Sequence, residues 1–205
     1  RERLVTDLVD AAKNQSLDDL AATITHVSLH ASYPGTGGAA ELSGGSPAYA
    51  RRTVSWSAAS AGSISTSAAL TAFNVAGGST VGFAGFWTAL TGGTFLGSIP
   101  LGPVGDPQLA TAATTGFLTA PGHTFANNDS IVALKTYGAL PGGITEGTTY
   151  WVRDISGDTF KLSATSGGSA ITISSAGRVM VQEATFESFG GQGTYTVSSI
   201  TLSIP

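Results

Sequence analysis

The chain has 205 residues and a formal net charge of −4, from 9 Lys and Arg against 13 Asp and Glu. Only 11% of the residues are charged, against about 25% in ordinary globular proteins, and this shortage of cations argues against nucleic-acid binding, which requires phosphate neutralisation. The lack of Cys excludes disulfides, Cys-ligated zinc and thiol catalysis, while 28 Gly and 41% hydrophobic residues favour a folded, loop-rich β protein over a disordered chain.

The first 24 residues form the one helical-looking part of the sequence. Apolar residues recur there at spacings of three to four, at Leu4, Val5, Leu8 and Ala12. Asn14 and Gln15 interrupt this pattern, and Ser16 then precedes acidic residues that favour a helix N-terminus. Two short helices are predicted, over roughly 2–13 and 17–22, and we expect residues 1–24 to dock the chain to its assembly.

The hydrophobic period changes to two at Ile24. Val27 and Leu29 fall on one face of a predicted strand, whereas His26, Ser28 and His30 fall on the other, which is expected to be a solvated or interface face. On a strand the two histidines lie about 13 Å apart, too far to share one metal ion. The alternative of a ring of histidines around the axis of a symmetric oligomer is not excluded by this spacing.

Further short strands follow at nearly regular intervals, separated by Gly, Ser and Asn turn signals, over 51–57, 69–75, 81–87 and 94–101. No helix-length pattern separates them, so the spacing predicts an all-β protein built on an antiparallel β-sandwich. We place this sandwich at residues 25–113 and expect residues 183–205 to complete it with its final strands. The last alternating segment, 195–204, has one slip at Ser198 and Ser199 that predicts a β-bulge.

A Gly- and Pro-containing stretch over 102–115 is interpreted as a linker into an inserted small β domain at residues 114–182. Its predicted strands are 131–136, 150–155, 159–164 and 170–174. Ser156, Gly157 and Asp158 predict a tight hairpin turn between the second and third of these. An insertion is physically reasonable here because sandwiches accept extra chain at exposed loop tips.

Candidate catalytic groups are weak. His123 with Asp129 or Ser130 has the residue types of a hydrolase triad. A hydrolase is not predicted, because no Gly-x-Ser-x-Gly nucleophile elbow occurs. Glu183 and Glu187 lie four residues apart in a β-like run, which would separate the two carboxylates that a glycosidase needs. The sequence therefore predicts no enzyme, no catalytic residue, no metal site and no cofactor.

The aromatic residues are more informative. Neighbours such as Phe86 and Trp87 must point to opposite faces of a strand, so one packs in the core and the other faces outward. An exposed aromatic ring marks an interface or a platform for sugar stacking. The predicted interface or glycan contacts are Trp56, Trp87, Trp151 and Tyr150.

An ordered set of Gly- and aromatic-containing motifs runs from Ile24 to Leu101. It comprises Thr25-His26-Val27-Ser28-Leu29-His30, Tyr33-Pro34-Gly35-Thr36-Gly37-Gly38, Glu41-Leu42-Ser43-Gly44-Gly45, Tyr49-Ala50-Arg51, Val54-Ser55-Trp56, Val81-Gly82-Phe83-Ala84-Gly85-Phe86-Trp87 and Thr91-Gly92-Gly93-Thr94-Phe95-Leu96-Gly97. In this order and spacing the stretch resembles a family of phage tail-fibre or minor tail proteins, of actinobacteriophage type.

A second set of motifs lies in residues 116–182. It includes Gly122-His123-Thr124-Phe125, Leu140-Pro141-Gly142-Gly143-Ile144, Gly147-Thr148-Thr149-Tyr150-Trp151-Val152 and Asp158-Thr159-Phe160-Lys161-Leu162. This part is similar to a small module inserted or repeated in other phage tail proteins. It separates the final strands from the rest of the sandwich, which departs from the simple family pattern.

The resemblance implies a virion structural protein: a tail-fibre or minor tail subunit in tail assembly and host-surface attachment, located in the virion tail and assembled in the host cytoplasm. Its expected partners are further copies of itself as a homotrimer, other tail proteins and a host cell-surface glycan. Nucleic acid and membrane insertion are not expected, since no apolar run approaches about 18 residues. The alternatives are a capsid decoration or head-fibre protein and, less favoured, a polysaccharide-degrading enzyme.

Overall fold

The structure of the chain, a computed structural model, describes residues 8–102, 107–136 and 138–204. The chain forms a single helix within these ranges, and the rest of its regular structure is β-strand. The predicted all-β class with a short N-terminal helical segment is confirmed. No helix in the described ranges is both long and apolar enough to cross a membrane.

The N-terminal helix α1 spans Asp10–Thr23 without a break, so the prediction of two helices separated at Asn14 and Gln15 is wrong. The helix continues because both residues gain partners there: Asn14 Oδ1 accepts the Gly62 N–H at 2.9 Å, and Gln15 Nε2 donates to Asp19 Oδ1 at 2.9 Å. Leu17 and Ala21, on the inner face of the helix, are buried against Ile64. The predicted helical residues 2–7 lie outside the described residues.

A four-stranded antiparallel sheet lies in the first half of the chain, in the order β2-β1-β6-β7. Its strands are β1 His26–His30, β2 Arg52–Thr53, β6 Phe83–Trp87 and β7 Phe95–Pro100. In the central pair, His26 lies opposite Trp87 and His30 opposite Phe83. The strand predicted at 51–57 is much shorter in the structure, where β2 covers only Arg52–Thr53.

Three two-stranded sheets join this part of the chain to its C-terminal segment. Their first strands are β3 Ser63–Ser65, β4 Phe73–Val75 and β5 Thr80–Val81, and the returning strands are β14 Glu187–Ser188, β15 Gly193–Tyr195 and β16 Thr201–Ser203. The pairs are β14 with β5, β15 with β4 and β16 with β3. Residues 195–204 thus form parts of two strands with different partners, where the sequence predicted one strand with a bulge.

Between these elements the chain closes a six-stranded barrel in the order β10-β11-β12-β9-β8-β13. Its strands are β8 Gln108–Ala112, β9 Leu118–Thr119, β10 Ser130–Leu134, β11 Thr149–Ser156, β12 Thr159–Ser163 and β13 Gly177–Glu183. The predicted hairpin is confirmed, because β11 pairs with β12 around Gly157, whose φ of 57° requires the left-handed region that glycine tolerates.

Two sequence interpretations need correction in this part of the chain. The supposed linker 102–115 contains strand β8, which pairs with β13 and β9 of the barrel; residues 103–106 of that stretch lie outside the described residues. The predicted strand at 170–174 is reduced to one isolated bridge between Ser163 and Ala170. The division into domains at 24, 113 and 182 stays a prediction, and β8 would place the start of the barrel before residue 114.

The apolar side chains form two main clusters. One fills the barrel around Leu118, Phe160 and Val179, and the other packs Val27, Phe73 and Val197 beneath the four-stranded sheet. Among the smaller clusters, one of Phe83, Val132 and Ala184 brings together residues from β6, from β10 and from the segment after β13. These contacts place the outer wall of the barrel beside the first sheet.

Candidate functional site

A buried polar network covers one face of the four-stranded sheet. Arg51 is 9% exposed and binds Glu41 in a two-point ion pair, with Nε to Oε1 and Nη2 to Oε2 both at 2.8 Å. Its Nη1 donates to the carbonyl oxygens of Ala89 at 3.0 Å and Gly92 at 2.7 Å. The guanidinium also lies 3.5 Å from the centre of the Trp87 ring, a cation–π contact.

Beneath Arg51, a chain of hydrogen bonds runs through Trp87, Ser28 and His30. The Trp87 indole N–H donates to Ser28 Oγ at 2.8 Å, and Ser28 Oγ lies 2.6 Å from His30 Nε2. His30 Nδ1 lies 2.7 Å from the Ala39 carbonyl oxygen, which can only accept, so Nδ1 carries the proton in neutral His30 and Nε2 accepts from Ser28. Every polar atom of the His30 ring is satisfied in the neutral state.

Burial controls the ionisation of this network. It lowers the pKa of His30, and the Arg51 charge adds to this effect, while the Ala39 hydrogen bond and the Glu41 charge oppose it. Burial also raises the pKa of Tyr49, whose hydroxyl accepts the Leu29 N–H at 2.8 Å. His30 and Tyr49 are both neutral at pH 7, and the network is built to hold the sheet and its covering loop together.

This arrangement corrects the expected solvated or interface face of β1. Ser28 and His30 are fully buried, because the loop after β1 folds back over them. In this loop Glu41 forms an isolated backbone β-bridge with His30, and the Leu42 N–H donates to the Leu29 carbonyl. The close approach requires glycine on the neighbouring strand, since a Cβ at Gly85 would lie 2.6 Å from Ser28 Oγ. Alternation alone does not reveal such a cover.

Three of the four predicted contact aromatics make internal contacts. Trp87 is 8% exposed beneath Arg51, and Tyr150 is 5% exposed, with its hydroxyl accepting the Thr145 N–H at 2.9 Å. Trp56 is half-buried; its indole N–H donates to the Ile24 carbonyl at 3.1 Å, and its ring packs edge-on against Phe86. Phe86 itself lies in the core cluster, on the face opposite Trp87. A role for any of these rings in glycan or partner contact stays a prediction.

The fourth aromatic, Trp151, lines an open cavity of about 500 Å³ on the outside of the barrel. We call it the Trp151 cavity; its other lining side chains include Asn128, Asp129, Thr149, Glu183 and Phe186. In the sequence, Asp129 and Glu183 belong only to weak catalytic pairs, the first with His123 and the second with Glu187. Their common location depends on barrel closure, which brings the end of β13 beside the start of β10.

A second cavity, of about 380 Å³, lies between β7 and the barrel. Tyr33, Phe83 and Phe95 supply aromatic walls, and Val132, Leu134 and Gln182 close it from the barrel side. We call it the Tyr33 cavity. Burial raises the pKa of Tyr33, and the nearby Glu146 carboxylate adds to this effect. The cavity is largely apolar and has no charged side chain among its described lining residues.

The supposed hydrolase triad does not assemble in the described part of the chain. His123 Nδ1 accepts the Phe125 N–H at 3.2 Å, Asp129 Oδ2 accepts the Ala126 N–H at 2.6 Å, and Ser130 donates to the Ala184 carbonyl. Each side chain thus forms its hydrogen bond with a backbone group. Over the same described ranges, no group of three or more His, Cys, Asp and Glu side chains is placed to hold a metal ion.

Residues 6–105, which include α1, the four-stranded sheet and its polar network, match the family model described as Podophage GP4 fiber I protein gp80. This similarity covers slightly less than half of the chain and supports a phage fibre-type protein. It is consistent with a structural component of the virion. Comparison with curated proteins and with solved structures found no similar protein.

Proposed function

We propose that the protein is a phage tail-fibre or minor tail subunit that serves in tail assembly and host-surface attachment. The observation that carries this proposal is the similarity of residues 6–105 to a podophage fibre family. The matched region contains the buried Arg51–Glu41 network, whose side chains are engaged in holding the fold. A rigid, weakly charged β scaffold suits close packing between subunits.

Attachment through repeated weak contacts fits such a scaffold. Several copies that engage one surface together gain affinity without any new type of contact, because each later binding event is intramolecular. The proposed partners are other copies of this chain, other tail proteins and a glycan of the host surface. The proposed location is the virion tail, after assembly in the host cytoplasm.

Particle fractionation tests the tail assignment. Tails and DNA-filled heads that lack tails are purified from the same lysate, and the chain is quantified in each by mass spectrometry. We expect the chain in the tail fraction and its absence from tailless heads. Recovery with the heads would replace the proposal with the alternative of a capsid decoration or head-fibre protein.

A homotrimer is the proposed oligomeric state, and the surface around α1 is the proposed contact. Leu8, Val9 and Leu20 are 49%, 70% and 40% exposed there, whereas Leu17 packs internally. Light scattering should give a trimer mass for the full chain and a monomer mass when Leu8, Val9 and Leu20 are replaced by Ser. Matched Ser substitutions at the exposed Leu96 and Leu109 should leave the trimer intact; a trimer that survives the first set would contradict the contact.

The remaining alternative is an enzyme acting on surface polysaccharide, for which the joint presence of Asp129 and Glu183 in the Trp151 cavity is the relevant observation. Release of reducing ends from host polysaccharide, abolished by Glu183→Gln and unaffected by Glu187→Gln, would establish it. We expect no release of reducing ends with the unmodified chain or with either variant.

A further inference from the structure

We propose that the Trp151 cavity is a binding subsite for one uncharged pyranose ring of a surface glycan. This inference deepens the proposed role in host attachment and rests on it. The cavity, at about 500 Å³, lies within the range of about 300–1,000 Å³ that small-molecule sites occupy. It combines the aromatic rings of Trp151 and Phe186 with polar side chains.

The barrel directs the Trp151 side chain toward its outer surface. Trp151 lies in β11 with Ser130 of β10 opposite it on one side and Ser163 of β12 on the other. Its neighbours Tyr150 and Val152 are buried in the barrel, so strand alternation directs the half-buried Trp151 ring outward. Such a platform buries the apolar C–H face of a sugar with little loss of side-chain entropy.

Hydrogen-bonding groups at the edge of the cavity remain available to hydroxyls. Within the described residues, the Glu183 carboxylate and the Trp151 indole N–H make no hydrogen bond or ion pair with the protein. Asp129 uses Oδ2 to accept the Ala126 N–H, and Asn128 uses Oδ1 to accept the Gly167 N–H at 3.1 Å. Among the described residues, Asp129 Oδ1 and the Asn128 amide N–H groups have no hydrogen-bond partner. These groups supply both donors and acceptors, as vicinal sugar hydroxyls require.

The charge of the cavity selects among sugars. Asp129 and Glu183 are the charged side chains among its described lining residues, and no Lys, Arg or His lines it. A sugar with a carboxylate or phosphate would place like charges together without a compensating cation, whereas a neutral hexose or N-acetylhexosamine meets no such penalty. The structure therefore favours an uncharged ring.

Nuclear magnetic resonance of the ¹⁵N-labelled full chain gives a site-specific test. The three indole N–H resonances are assigned by Trp→Phe substitution at positions 56, 87 and 151, and the chain is titrated with the methyl glycosides of glucose, galactose and N-acetylglucosamine. Trp56 and Trp87 donate to Ile24 and Ser28 within the protein, so they serve as internal references. We expect at least one glycoside to shift the Trp151 indole resonance saturably while both references stay unchanged.

Variants then test the two parts of the site. Trp151→Ala should weaken binding about tenfold, the equivalent of about 1.4 kcal/mol; because the ring lies outside the barrel core, folding is checked by the dispersion of the remaining resonances. Methyl glucuronide differs from methyl glucoside by one carboxylate and should bind several-fold more weakly. Glu183→Gln should narrow that difference, and Glu187→Gln, an exposed carboxylate that does not line the cavity, should leave it unchanged.

Several results would overturn the subsite. The first is a Trp151 indole resonance that none of the three glycosides shifts. The second is a folded Trp151→Ala chain that binds a glycoside with unchanged affinity, as followed at the backbone amides of residues 128–130. The third is tighter binding of the glucuronide than of the glucoside. Cleavage of a glycoside during the titration would replace the binding site with an enzyme. The particle fractionation is independent of these measurements: a chain found in tails without glycoside binding loses the subsite alone.

Discussion

At the residue scale, the polar face of the first sheet shows how a weakly charged protein uses its few charges. Arg51 satisfies its guanidinium through Glu41 and two backbone carbonyls and covers Trp87 at the same time. A two-point guanidinium–carboxylate pair is among the stronger polar contacts in proteins, and Lys does not reproduce its geometry. The loop over β1 and the turn after β6 are both anchored to this one side chain.

Replacing Arg51 with Ala should lower the free energy of unfolding by about 3–5 kcal/mol, because the Glu41 carboxylate then lacks its partner in a largely buried position. Urea denaturation measures the loss. Arg178→Ala is the matched control, since Arg178 is an exposed residue of β13, and its effect should stay within about 0.5 kcal/mol. Equal effects of the two substitutions would contradict the role assigned to Arg51.

His30 should make stability depend on pH. Its pKa is lower in the folded chain than in the unfolded chain, chiefly through burial, so the unfolded state binds the proton more readily. The stabilisation is complete above the ordinary pKa of about 6.5 and is lost as pH falls through the lower folded-state pKa. Urea denaturation at pH 8, 7, 6 and 5 should show this decline, and His30→Gln, which does not titrate, should show a smaller one; identical pH profiles would contradict the assignment.

At the scale of elements, α1 shows why local pattern misses tertiary support. Its sequence carries a break at Asn14 and Gln15, yet Asn14 accepts the Gly62 N–H, Asp18 accepts the Ala59 N–H, and Leu17 packs on the β3 region. These contacts come from residues more than 40 positions away in sequence. They stabilise a continuous helix that intrinsic preference alone does not predict.

Two leucines of α1 separate internal packing from surface exposure. Leu17 is 2% exposed and Leu20 is 40% exposed. Leu17→Ala should cost about 2–5 kcal/mol of unfolding free energy, whereas Leu20→Ala should cost little, because its side chain is not packed in the subunit. Urea denaturation compares the two variants at a protein concentration low enough for light scattering to give a monomer mass, and a larger loss at Leu20 would contradict the observed orientation of the helix.

The β elements show what sequence does and does not predict. The 156–158 turn and the central strands β1 and β6 were recognisable, since period-two alternation and turn residues are local signals. Barrel closure was not, because the pairing of β8 with β13 joins residues about 70 positions apart, and Gln108–Ala112 carries small residues that look like a linker. The Trp151 cavity was missed for the same reason: Trp151 was singled out, but Asn128, Phe186 and Glu183 reach it only through long-range pairing.

At the scale of the whole molecule, two large apolar clusters are joined by the small cluster of Phe83, Val132 and Ala184. Phe160→Ala, entirely within the barrel cluster, should cost about 3–5 kcal/mol and should raise hydrogen exchange chiefly in β8 to β13. Phe83→Ala, at the joint, should raise exchange in both parts of the chain. Mass spectrometry of peptides from β1 and from β12 measures this, and an equal rise in β1 for Phe160→Ala would contradict the division of the core.

We propose that this chain serves in attachment to the host surface. The most direct test measures the adsorption rate of intact virions in the presence of Fab fragments raised against the purified chain, after electron microscopy has shown that the Fab binds the particles. We expect bound Fab to lower the adsorption rate strongly, while a Fab against the capsid shell leaves it unchanged. An unchanged adsorption rate on particles visibly coated by the first Fab would contradict it.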